Sequence, residues 1–276
     1  ATGGAGGSGI AVIKELSKSS GVWSMQSQFS ALQQGTWPST TFLEATGGNA
    51  TVTCGSYKTH IFTASGPLNI TSTASSSPNN TVDYIVVAGG GGGGANQGGA
   101  VSTFSTITSA GGGLAGGGFN CAPGNSLRKG GDGGSGGGSG FGDDAYNPPS
   151  LGTLPGGAGD TPDVTPNQGT AGGASGIGCY AYGGGGGGAG TVGGTPAPST
   201  SAGGDGSFIG DAFISPAAPS YGTPGPVGST RYFAGGGAGG ARGTPGSPGG
   251  FGGAYNGGTG GAGGPGVVMI RYKYQP

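Results

Sequence analysis

The chain has 276 residues, of which 78 are glycine and 19 proline, with 7% charged residues and a formal net charge of −1. Such a composition suggests low complexity, but solvated disordered chains carry far more charge than this. The absence of a basic cluster excludes an electrostatic nucleic-acid surface, and no run of 18 apolar residues is present to form a membrane-spanning helix.

The glycines are unevenly placed, with 11 in residues 1–88 and 67 in the remaining 188. A composition boundary therefore falls near Gly89. The expected organisation is a strand-bearing segment at 1–16, a helical connector at 17–46, a β-rich base at 47–88, a glycine-rich region at 89–265 and a closing strand at 266–276.

Residues 9–14, GIAVIK, follow a small glycine tract and read as a short β-strand, with Ile10, Val12 and Ile13 as its apolar residues. They repeat the pattern at the other end of the chain, where GVVMIRYK follows a longer tract at 266–273. This strand is expected either to close a preceding copy of the same module or to dock on another copy of the chain. Repeating the second contact would build a head-to-tail filament.

Next, Val22, Met25, Phe29 and Leu32 recur at spacings of three and four. Ser24 suits the N-cap and Gly35 the stop, which predicts an amphipathic helix of about three turns. So short a helix needs its apolar face covered.

From 51 to 88 the pattern changes to strands: TVTC, YKTHIFTA, GPLNITST and TVDYIVVA, with turns at Gly66-Pro67 and residues 77–80. His60 is the only histidine and has no carboxylate or cysteine near it in sequence, so it reads as structural. Asn49, Asn69 and Asn79 each begin an N-x-T sequon and could accept a glycan in a secretory setting.

Beyond Gly89, glycine tracts at about 89–94, 111–118, 130–142, 183–190, 235–240 and 249–266 alternate with segments richer in Pro, Ser, Thr and aromatic residues. No strict glycine at every third position persists, so this is not collagen. Ordering 67 glycines costs of order 100 kcal/mol at about 1 to 2 kcal/mol each, and glycine has no side chain to bury in compensation. The backbone itself is the remaining source of cohesion. Extended threefold helices laid side by side can hydrogen-bond one another in all directions, and glycine is required wherever a Cβ would hold neighbours apart. The predicted fold is thus mainly β: a small antiparallel base, a polyglycine II bundle with long loops, and one short N-terminal α-helix. In the exit strand Val268, Ile270, Tyr272 and Tyr274 share one face, while Val267, Met269, Arg271 and Lys273 share the other. A half-buried strand here, pairing beside residues 84–87, would tie the two ends of the glycine region together.

The segments YKTHIFTASGPLNIT, VDYIVVAGGGGGG and GGPGVVMIRYKY together resemble the glycine-rich domain found repeatedly in phage tail fibres and tail-tip adhesins. GVWSMQSQFSALQQGTWP is similar to the Trp-bracketed connector of the same fibres. The resemblance covers almost the whole chain. It implies a virion-surface or extracellular protein with receptor recognition by loops, partnered by other fibre subunits or copies of itself and by a host-surface glycan or protein. It supplies no catalytic residues.

No chemistry is expected elsewhere. The run GGGGGGAG lacks the Lys-Ser/Thr of a phosphate loop. Asp143-Asp144 and Asp160-x-x-Asp163 do not match a calcium-loop series and read as solvated loop acids. Cys54, Cys121 and Cys179 show no metal-site spacing. Either Cys121 pairs with Cys179, leaving Cys54 free, or they are separate buried thiols. The protein is expected to be non-enzymatic, without cofactor or metal. The candidate receptor contacts are Tyr146, Phe208, Phe213, Tyr221, Tyr232 and Phe233, whose flat rings suit sugar or protein surfaces; alternatively, the same rings cap the ends of the bundle. An ice-binding bundle would show near-regular glycine spacing and flat faces of small residues, which the bulky loops argue against.

Overall fold

The computed structural model describes residues 24–35, 40–91, 97–117, 128–140, 153–176, 182–196, 201–210, 213–214, 221–224, 231–240 and 264–275. The chain divides into two compact units, Ala1–Thr40 and Thr41–Pro276. The first holds helix α1, Met25–Gln33, about two and a half turns long. The Ser24 hydroxyl accepts from the Ser27 N–H at 3.1 Å, and the helix stops where Gly35 takes φ +63°. Both ends fall where the capping residues place them. Met25, Phe29 and Leu32 are exposed.

The second unit is mainly β. Its strands are β1 (Glu44–Gly47), β2 (Ala50–Cys54), β3 (Tyr57–Phe62), β4 (Leu68–Ser72), β5 (Val82–Val87), β6 (Ser102–Phe104), β7 (Ile107–Ser109), β8 (Ser207–Ile209), β9 (Thr223–Pro224), β10 (Arg231–Phe233) and β11 (Val267–Lys273). Every pairing between them is antiparallel. The main sheet has the order β2-β3-β11-β5, flanked by a β1-β4 pair and a β8-β10-β9 sheet, while β6-β7 forms a separate hairpin.

Strand β11 pairs with β5 from Val267↔Val87 to Tyr272↔Val82, so the entry and exit of the glycine region are neighbours, as the sequence predicts. It is not half-buried, however. Val267 and Met269 on one face and Ile270 and Tyr272 on the other are all buried, because a layer covers each side. On the first side Ile209, Ile214 and Phe233 pack against Ile61, Val267 and Met269. On the second, Leu43, Ala45 and Leu68 pack with Tyr272 and Tyr274. Residues 41–46, expected in the connector, thus belong to the larger unit, and β4 pairs with β1. Strands β8, β9 and β10 lie in the segment between the tracts at 183–190 and 235–240.

Two buried polar residues join the layers. His60 Nδ1 lies 2.7 Å from the Gly47 carbonyl oxygen, which as an acceptor requires the proton on Nδ1. In the neutral ring Nε2 then accepts from the Tyr272 hydroxyl at 3.1 Å, and that hydroxyl accepts from the Ala45 N–H at 3.0 Å. On its β4 side Gly47, at φ +124°, has no room for a Cβ beside the Pro67 carbonyl. His60 is therefore a bridge between β3, β11 and the β1 layer.

On the opposite face Arg271 lies between the rings of Tyr57 and Phe213, its Cζ 4.7 Å and 4.5 Å from their centroids, and pairs with Asp83 at 2.6 Å. The carboxylate side chain is 56% exposed, so the ion pair is screened and weak. The stacked guanidinium does more. Arg271→Met is expected to cost about 1–2 kcal/mol, and Asp83→Asn under about 1 kcal/mol, in urea unfolding; equal losses would show that the ion pair dominates.

The glycine region continues the hydrogen bonding of the base without a gap. Just past β5, the Gly89 N–H donates to the Ala100 carbonyl at 2.9 Å and the Gly90 N–H to the Gly264 carbonyl at 2.8 Å. Beyond this joint the described tracts form no helix and only a single bridge, Gly239 to Ser201, yet many of their N–H groups donate to carbonyls of other tracts.

Candidate functional site

The segment 182–190 shows how the tracts are joined. Gly183, Gly186 and Ala189 donate to the carbonyls of Gly240, Gly237 and Ala234. Gly184 and Gly187 donate to Ser139 and Gly136, and Gly185 and Gly188 to Gly194 and Thr191. All seven bonds are 2.8–3.0 Å long. Each neighbour is thus met at every third residue, and each runs opposite to the segment. The segment also accepts from Gly173 at Gly185 and from Gly204 at Gly186, which brings five other segments around it.

Such proximity leaves no space for side chains at most positions. A Cβ on Gly184, Gly185, Gly187 or Gly188 would fall inside the carbonyl group of an adjoining tract. Arg128 and Leu154 are buried in this region, and so are three serines bonded to backbone. Ser139, Ser175 and Ser201 are buried; the Ser175 hydroxyl accepts from the Leu154 N–H at 2.9 Å, and the Ser201 hydroxyl donates to the Gly183 carbonyl. At the edges polar side chains secure the turns: Asp132 accepts from the Ala158 N–H at 2.7 Å, Asp160 from the Gln168 N–H at 3.0 Å, and Gln168 from the Ala110 N–H at 2.6 Å. Asp160 is therefore employed in bonding its own loop. Among the described residues no group of His, Cys, Asp and Glu could hold a metal ion, and no helix is long and apolar enough to cross a membrane.

The expected aromatic contacts separate into two groups. Phe233 is buried, and Phe213 and Tyr221 pack against the same core, where Phe213 also stacks on Arg271. These three rings cover the main sheet. Phe208 and Tyr232 instead stand opposite each other on β8 and β10, with centroids 5.9 Å apart, and Phe208 is 61% exposed. Alternation along such short strands turns Phe208 and Tyr232 away from the side that Ile209 and Phe233 commit to the core. No sequence signal distinguished the two groups, because strands of three residues are too short to show a period.

The sequons also differ. Asn49 Oδ1 accepts from the Thr63 and Ala64 N–H groups at 2.7 and 3.1 Å, and Asn79 Nδ2 donates to Ser76 Oγ at 3.0 Å. Asn69 is exposed on β4. Cys54 is a half-buried free thiol at the end of β2. Tyr146, Cys121, Cys179 and the strand residues Ile10, Val12 and Ile13 lie outside the described residues.

No protein-family model matches the chain, and no curated protein or solved structure is similar to it at a significant level.

Proposed function

We propose that the glycine tracts form a polyglycine II bundle and that the chain is a non-enzymatic segment of a surface fibre, of the phage tail-fibre or adhesin kind, which presents residues between its tracts to a host surface. The observation that carries this reading is the three-residue rotation of hydrogen bonds along 182–190. A threefold extended helix aims residues i and i+3 at one neighbour and i+1 and i+2 at two others, which a twofold β-strand cannot do. A scaffold bonded through its backbone in several directions holds its connecting segments in place without a large apolar core. Among the described residues the tracts pack at backbone contact, which favours recognition at the periphery. The likeness of the entry, exit and connector segments to tail-fibre glycine-rich domains points the same way.

The test is binding of the labelled chain to a panel of bacterial cell surfaces. Binding is expected to a subset of them and to be lost when residues 215–220 and 225–230 are exchanged for Gly-Ser sequence, with circular dichroism and thermal unfolding retained. Unchanged binding in the exchanged chain would overturn the assignment of recognition to this part of the molecule.

A further inference from the structure

The sheet β8-β10-β9 has two unlike faces. Ile209 and Phe233 serve the core, whereas Phe208 and Tyr232 form a cross-strand pair on the other side, tilted 45° to each other. Phe208 keeps 61% of its surface in water, although full burial of such a ring is worth about 1.5–3 kcal/mol. Two residues further along, a Cβ at Gly210 would likewise meet nothing within 4 Å. The adjacent cation, Arg231, directs Nη1 to the Gly222 carbonyl at 3.4 Å.

We propose that Phe208 and Tyr232 are a stacking platform for one sugar ring of a neutral glycan; the proposal rests on the adhesin reading and names its ligand class. Two aromatic side chains offer at most about 300–500 Å². A specific protein partner needs about 1,000 Å² or more, so the pair alone is too small for one. It does match a single pyranose, whose C–H face packs on a ring while its hydroxyls stay hydrated. Arg231 is the single charged residue among the described residues of these three strands, and its Nη1 is directed to a backbone carbonyl, so ring stacking rather than charge pairing carries the contact.

The labelled full-length chain is applied to an array of neutral and acidic oligosaccharides, alongside Phe208→Ala and Phe208→Trp. Wild type is expected to retain neutral glycans, Phe208→Ala to weaken binding about two- to tenfold, the scale of one aromatic contact, and Phe208→Trp to restore it. Phe208 is exposed, so all three chains are expected to unfold at the same temperature. Retention of no glycan, retention of acidic glycans only, or binding indifferent to Phe208→Ala would each overturn the platform. Cell binding that persists in Phe208→Ala but is lost on exchanging 215–220 and 225–230 would overturn it while leaving the adhesin reading standing.

Discussion

Gly185→Ala is expected to destabilise the larger unit by about 3–5 kcal/mol, whereas Gly186→Ala, one residue away, changes stability by less than about 1 kcal/mol. The new methyl at 185 would occupy the position of the Ala202 carbonyl group. Relief requires the Ala202 segment to move away, which breaks the bonds from the Gly204 N–H to the Gly186 carbonyl and from the Gly194 N–H to the Ala202 carbonyl, both 2.8 Å. Each buried amide left without a partner costs about 1–3 kcal/mol. At Gly186 the nearest atom to an added Cβ is the Gly237 nitrogen at 3.4 Å, an ordinary contact. Alanine there also lowers the entropy of the unfolded chain, which favours folding by about 0.4–1 kcal/mol. Denaturant unfolding of the two variants side by side decides the matter. Equal stabilities would show that the tracts are not packed at backbone contact.

Tyr272→Phe is expected to cost about 2–4 kcal/mol despite removing only one oxygen. The hydroxyl serves the Ala45 N–H and His60 Nε2 in a site where Tyr272 is 1% exposed, so both partners would be stranded. The same residue gives stability a pH dependence. Burial raises the phenol above its ordinary value of 10.0, the bond from Ala45 lowers it, and the nearby Glu44 charge raises it again. A group raised on folding contributes stability that is complete below the unfolded value. That contribution is lost as pH climbs from about 10 through the folded value, because the unfolded phenol ionises first. Wild type is expected to lose stability over that alkaline window, and Tyr272→Phe to lose this component. Parallel pH profiles for the two chains would remove Tyr272 as its source.

Much of this architecture was legible in the residues. Strands β3 to β5 fall within the runs that β-branched and aromatic residues mark and β2 begins one residue before its run, α1 lies between its Ser and Gly caps, and the β5–β11 pairing followed from apolar runs at both ends of the glycine region. Strand β1 was not legible, because Glu-Ala-Thr-Gly has little β character of its own and forms only against β4. The partner of β4 was hidden for the same reason. The platform pair could be named but not sorted from Phe213, Tyr221 and Phe233: an aromatic residue in a polar stretch reads alike whether it covers a sheet or faces water. The tight glycine positions were equally hidden, since Gly185 and Gly186 are identical in sequence context and differ only in what lies opposite.

The order of the main sheet bears on how the chain is made. Strands β3 and β5 never touch along an edge; β11 lies between them and arrives about two hundred residues after β3. During synthesis the tracts emerge before the strand that completes the base, so the sheet stays open until residues 267–273 leave the ribosome. Closing it spans a long separation along the chain, the kind of contact that slows folding most. The inserted strand therefore acts as a late latch.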